Sequence, residues 1–163
     1  MRLRLFLLGA ALCTLAACDS GGAAAPARGS FEARLTGAVE ATLTGDAAFT
    51  RESRGGFEAL SVTFVIRGGG LRGLGLSDFS GAVTGPGTYP LGEVGERVSL
   101  LYFELGAGGR SLGSTDGELT VTRLDDERME ARFEATLADG LGASGERAEI
   151  TGSFEAVPFP VAP

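Results

Sequence analysis

The sequence predicts an all-β fold, an antiparallel β-sandwich or small β-barrel of about nine or ten short strands, on three observations. Apolar and polar residues alternate strictly over several stretches, the period of a strand with one buried face. Glycine-dense turns separate those stretches. No stretch of helical period is left between them.

The first pattern sets Phe31, Ala33 and Leu35 against Glu32, Arg34 and Thr36. After Gly37 it resumes with Val39, Ala41 and Leu43 against Glu40, Thr42 and Thr44, so the two segments are expected to form a hairpin. Residues 60–66 and 98–105 are apolar at both phases, which predicts central strands covered on each side. Residues 118–122 are expected to pair with a strand carrying Met129, Ala131, Phe133, Ala135 and Leu137, through the acidic turn Asp125-Asp126-Glu127. The last strand presents Ala148, Ile150, Gly152, Phe154 and Ala156 on one face. Turns are expected at Arg54-Gly55-Gly56, Gly68-Gly69-Gly70, Gly85-Pro86-Gly87 and Gly106-Ala107-Gly108-Gly109.

A hydrophobe-Glu-Ala phrase recurs at Phe31, Val39, Phe57, Phe133 and Phe154, spaced too irregularly for a solenoid. It reads as one strand grammar reused, with the hydrophobe and alanine inward and the glutamate in solvent. A binding stripe of glutamates is the sharper alternative. Residues 30–163, 134 in all, suit a single domain with a real core. An outer-membrane barrel would need aromatic girdles, and this chain offers only Tyr89 and Tyr102 and no Trp.

Ahead of the domain, Arg2 and Arg4 precede an apolar run over residues 5–12, too short for a span that needs about 20 residues. Leu15-Ala16-Ala17-Cys18 follows, and it resembles the lipobox of bacterial lipoproteins. The resemblance implies that residues 1–17 are a signal peptide and that Cys18 is acylated and becomes the first residue of the mature chain. Two or three acyl chains hold a protein to a membrane durably, at about 0.8 kcal/mol per buried methylene. Cys13 is expected to leave with the leader, so no disulfide is available.

Asp19 resembles the signal that retains lipoproteins in the inner membrane of enteric bacteria, and the choice of membrane stays open. Residues 18–29 are small and turn-prone, the composition of a flexible tether. Residues 19–29 would reach about 36 to 40 Å when stretched. The whole arrangement, ending in Gly152-Ser153-Phe154, resembles uncharacterised all-β envelope lipoproteins, a resemblance that carries no assigned site.

Composition narrows the chemistry. Without Arg2 and Arg4 the chain carries twelve arginines against 21 acids, a net charge of −9, which repels rather than binds nucleic acid. The sequence contains no His, Lys, Asn, Gln or Trp. Histidine-activated nucleophiles, His-ligated metals, Schiff bases and the phosphate-loop lysine are therefore excluded, and no cofactor is expected. All 14 basic residues are arginine, as a GC-rich genome would favour.

What remains is carboxylate chemistry and binding. Asp125, Asp126 and Glu127 sit together in a predicted hairpin tip, where they are candidates for a calcium site or an acid pair, with a solvated turn as the alternative. Asp116 and Asp139 could add oxygen ligands, and residues 69–78 weakly resemble a glycine-aspartate calcium repeat. Phe64, Phe79, Phe103 and Phe133 could line an apolar cavity or fill a core. The expected function is a non-enzymatic binding or structural β-domain, attached to a membrane through Cys18 and meeting an envelope protein or small ligand. A carboxylate-dependent envelope hydrolase and a carrier of a small apolar ligand are the alternatives.

Overall fold

The computed structural model describes residues 29–68, 71–106, 109–139 and 145–159, and the predicted leader, Cys18 and the tether lie outside that set. Nine strands follow one another: β1 (Ser30–Gly37), β2 (Ala41–Arg54), β3 (Phe57–Ile66), β4 (Arg72–Asp78), β5 (Gly87–Pro90), β6 (Val98–Glu104), β7 (Arg110–Leu124), β8 (Met129–Asp139) and β9 (Arg147–Pro158). There is no helix among the described residues.

Each strand except β5 pairs antiparallel with its sequence neighbours, β4 passing directly to β6. The meander closes where β1 meets β9, from Ser30 opposite Glu155 to Gly37 opposite Ala148. The result is a closed eight-stranded antiparallel barrel with β5 as an added strand beside β7. Closure decides between the two predicted architectures in favour of the barrel.

Alternation then sorts every side chain into lumen or exterior. Phe31, Ala33 and Leu35 point inward from β1, and Ala148, Ile150, Phe154 and Ala156 from β9, all buried. At mid-height Phe31, Phe64, Phe133 and Phe154 form one aromatic cluster, with ring centroids 4.9 to 6.3 Å apart. An eight-stranded barrel is just wide enough for side chains to fill. Gly152 makes room for them, because a Cβ there would come within 2.5 Å of the Phe133 ring.

The predicted hairpins at β1–β2 and β7–β8 form, and β9 buries Ala148, Ile150, Phe154 and Ala156 as expected. At the Gly55-Gly56 turn both residues take positive φ, 57° and 99°, as a two-residue hairpin loop requires. Residues 60–66 and 98–105 depart from expectation. Val65 is 56 % and Leu105 61 % exposed, because no second layer lies over this end of the wall, whereas Ser99 on the outer face of β6 is buried. The strand grammar also slips in β3, where Leu60 shares the inward face with Val62 and Phe64, and Ala59 alternates with them.

Both described chain ends lie at one end of the barrel, where β9 runs past the start of β1 and pairs in parallel with β2 at Ala48 and Phe49. Gly29 enters at this fork, since a Cβ there would collide with the Glu155 and Ala47 carbonyls. The β4–β6 connection closes the same end, burying Val83 and Leu91. Its anchor is Asp78, a fully buried carboxylate. Oδ1 accepts from Ser80 N (2.9 Å), Ser80 Oγ (2.6 Å) and Gly81 N (3.1 Å), and Oδ2 from Val83 N (2.8 Å).

Where β6 and β7 part, the hydroxyl of buried Ser114 accepts from Leu100 N at 2.9 Å and donates to the Gly92 carbonyl at 2.6 Å. It thereby stitches the fork that admits β5. The pairing of β7 with β8 shifts register between Ser114 and Asp116, the bulge that lets β7 turn from β6 to β5.

Two stability outcomes are expected. Phe64→Ala should cost about 3 to 5 kcal/mol by urea unfolding, since it leaves a cavity among three other rings. Asp78→Ala should cost about 1 to 3 kcal/mol, because the buried Val83 N–H and the half-buried N–H groups of Ser80 and Gly81 lose their acceptor. A loss below about 1 kcal/mol in either variant would contradict the packing described.

Candidate functional site

Polar groups gather at the opposite end of the barrel, where three inward strand positions fall in one row: Arg72 on β4, Glu104 on β6 and Arg110 on β7. One row deeper, Tyr102 lies between Leu74 and Leu112, all three buried. The phase that buries Leu100 and Tyr102 thus carries Glu104 into the mouth of an apolar lumen.

Glu104 is held from three sides. The Tyr102 hydroxyl donates to Oε1 at 2.6 Å, and Arg72 Nε lies 3.1 Å from the same oxygen. Arg110 Nε is 3.3 Å from Oε2, near enough for an ion pair but not aligned for a hydrogen bond. The Arg110 guanidinium also donates through Nη1 to the Ala38 carbonyl at 2.8 Å and lies 3.6 Å from Glu146. Two arginines therefore face two glutamates, so the mouth is a near-neutral seal over the lumen. Burial, and after it the hydrogen bond to Glu104, pushes the Tyr102 phenol up to about 12.

The sequence-predicted acids occupy the other end. Asp125 spends its carboxylate on its own turn, Oδ1 accepting from Glu127 N (2.9 Å) and Arg128 N (2.8 Å) and Oδ2 from Arg123 Nε (2.6 Å). The hydrogen bond from Arg123, followed by that from the Glu127 amide, holds this carboxyl below the usual carboxylate range. Asp126 points into solvent, 3.9 Å from Arg51, and Glu127 is exposed.

Asp116 Oδ1 accepts from Gly117 N at 2.8 Å in the β7 bulge. Asp116 lies within β7 and Asp139 at the end of β8, away from the one turn that holds Asp125, Asp126 and Glu127. Among the described residues no three His, Cys, Asp or Glu side chains converge with metal-binding spacing. Cys18 lies outside the described residues.

Of the four phenylalanines expected to line a cavity or core, Phe64 and Phe133 belong to the lumenal cluster. Phe79 is largely exposed, and Phe103 lies on the outer wall, its ring across Gly73. Shallow depressions of about 300 to 400 Å³ lie over the exterior of β1, β8 and β9, lined by Glu32, Glu118, Arg132, Glu134 and neighbours.

The sequence pattern assigned nothing to Glu104 and Arg110, placed Asp78 only at the end of the 69–78 segment, and singled out Tyr102 only as a scarce aromatic. The available signal was phase: Asp78 continues the alternation of Leu74 and Leu76, and Glu104 that of Leu100 and Tyr102.

No protein-family model, no curated protein and no solved structure matches this chain.

Tyr102 provides a direct test of the mouth. A phenol whose folded pKa is raised from 10 to about 12 stabilises the fold below pH 10, and that contribution is lost as pH rises through about 12. Alkaline titration at 295 nm should show a component near pH 12 that disappears in Tyr102→Phe. The variant should also unfold with a flatter pH dependence above pH 10. A wild-type titration with no such component would contradict the geometry.

Proposed function

We propose that this chain is a lipid-anchored protein of the bacterial cell envelope, whose β-barrel is a non-enzymatic binding or structural module tethered to a membrane through acyl chains on Cys18. The observation that carries the reading is the placement of the chain ends. Gly29 enters at one end of a barrel whose opposite mouth is sealed by its own ion pairs. A tether over residues 18–29 can therefore lead away from that end without crossing the rest of the domain, leaving the far mouth and the walls to face the surroundings.

The exterior argues against membrane insertion of the barrel itself. Outward positions on β8, β9 and β1 carry Arg132, Glu134, Glu149, Glu32 and Arg34, and charges at mid-wall break any continuous lipid-facing band. The carrier alternative draws little support, since four phenylalanines occupy the level where a lumenal ligand would sit. The hydrolase alternative draws little either, since Asp125 is consumed by its turn and Glu104 by two arginines and a tyrosine.

The reading is tested by Cys18→Ser in the full chain, expressed in a bacterial host with a labelled fatty acid. Incorporation of label should fall to background, and the protein should leave the membrane fraction. Labelling or membrane attachment equal to the parent's would overturn the anchor.

A further inference from the structure

The β7 bulge sets a carboxyl group against the backbone amide that follows it. Thr115 is the extra residue, skipped in the pairing with β8, which resumes with Asp116 opposite Thr136. Asp116 is exposed, and its Oδ1 accepts from the N–H of the next residue, Gly117, at 2.8 Å. The two backbone groups of Gly117 are thereby divided. Its carbonyl accepts from Leu91 N at 2.9 Å, just past the end of β5, whereas its N–H is turned to the Asp116 side chain.

We propose that Asp116-Gly117 is a site at which the folded chain modifies itself, forming a succinimide and from it an isoaspartyl bond. Gly117 N attacks Cγ of the Asp116 carboxyl group, the C–O bond of its hydroxyl breaks, and that hydroxyl leaves with the amide proton as water. Water then opens the five-membered imide. Opening at the side-chain carbonyl restores aspartate, and opening at the main-chain carbonyl leaves a chain that runs through the side chain, one methylene longer. Water is the only other reactant.

The fold supplies the conditions for ring closure. The new N–Cγ bond takes the place of the N–H bond, and that N–H already points at the carboxyl group. Gly117 puts no side chain beside the attacking nitrogen, and the barrel requires glycine there: φ is 136°, and a Cβ would collide with the Glu134 carbonyl. Closure must also swing the Asp116-Gly117 peptide off the sheet. β5 is the element that can open to allow it, since it pairs with β7 over only four residues. Once formed, the added methylene lies beside the carbonyl that holds Leu91, so β5 should be held more loosely in each modified chain.

The test ages the purified full chain at physiological temperature and cleaves it after arginine. Residues 111–123 are then released with Asp116 as their only aspartate, apart from the second Asp-Gly pair at 139 and 140. Enzymatic methylation of isoaspartate, read by mass spectrometry, should mark this peptide several-fold faster than residues 35–51, in which Asp46 precedes alanine. A form one water lighter should appear first. Asp116→Asn keeps the acceptor oxygen and loses ammonia more readily than aspartate loses water, so it should give the same product several-fold faster. In the modified fraction the Leu91 amide should exchange faster with solvent.

Isoaspartate at position 116 that forms in urea but not in the folded chain would overturn the proposal. So would an Asp116→Asn chain that converts no faster than the parent, or marking of residues 111–123 no faster than of 35–51. Unchanged Leu91 exchange in the modified fraction would overturn the loosening of β5.

Discussion

The ladder between β1 and β9 is the interaction on which the rest of this structure depends. Seven hairpin-type neighbours would make only a curled sheet with two open edges, and edges invite pairing with other chains. Joining Ser30–Gly37 to the last strand removes both edges and turns a sheet face into a lumen. The same ladder positions Phe31 and Phe154 as cross-strand partners, which places two of the four clustered rings on the seam itself. It also brings both described chain ends to one rim.

An apolar lumen must still end, and the two mouths end it differently. At the rim with the chain ends, the β4–β6 connection folds inward with Val83 and Leu91, and Asp78 accepts from the buried Val83 amide and the half-buried Gly81 amide. At the far rim no chain folds inward among the described residues, and an Arg–Glu–Arg row with the Tyr102 hydroxyl covers the core. Both solutions follow one rule: a polar group carried inside by strand phase is tolerated when every charge finds a partner.

The filled core leaves the outer surfaces and the two mouths as the accessible parts of this scaffold. The lumen is filled, the acids at the hairpin tip are engaged by their turn, and the far mouth is neutralised by its own ion pairs. The exterior divides into a charged wall around β8, β9 and β1 and an uncharged wall on β3, β4 and β6, where Ser61, Thr63, Ser77 and Ser99 stand beside Val65, Leu101 and Phe103.

Local residues alone determined that this chain is all-β, where several hairpins turn, and which face of β1, β8 and β9 is buried, because alternation and glycine are properties of neighbours along the chain. They also carried the resemblance to a lipobox at Cys18 and the excluded chemistries, which depend on residue identity and not on fold. Tertiary structure decided the rest. Closure requires Ser30 to meet Glu155, a pairing between the two ends of the domain that no local pattern encodes. Residues 60–66 and 98–105 read as doubly covered strands because an apolar residue looks the same whether a second layer or nothing lies over it. Only closure, which gives a sheet an inside and leaves its outside bare, could show that Val65 and Leu105 face outward.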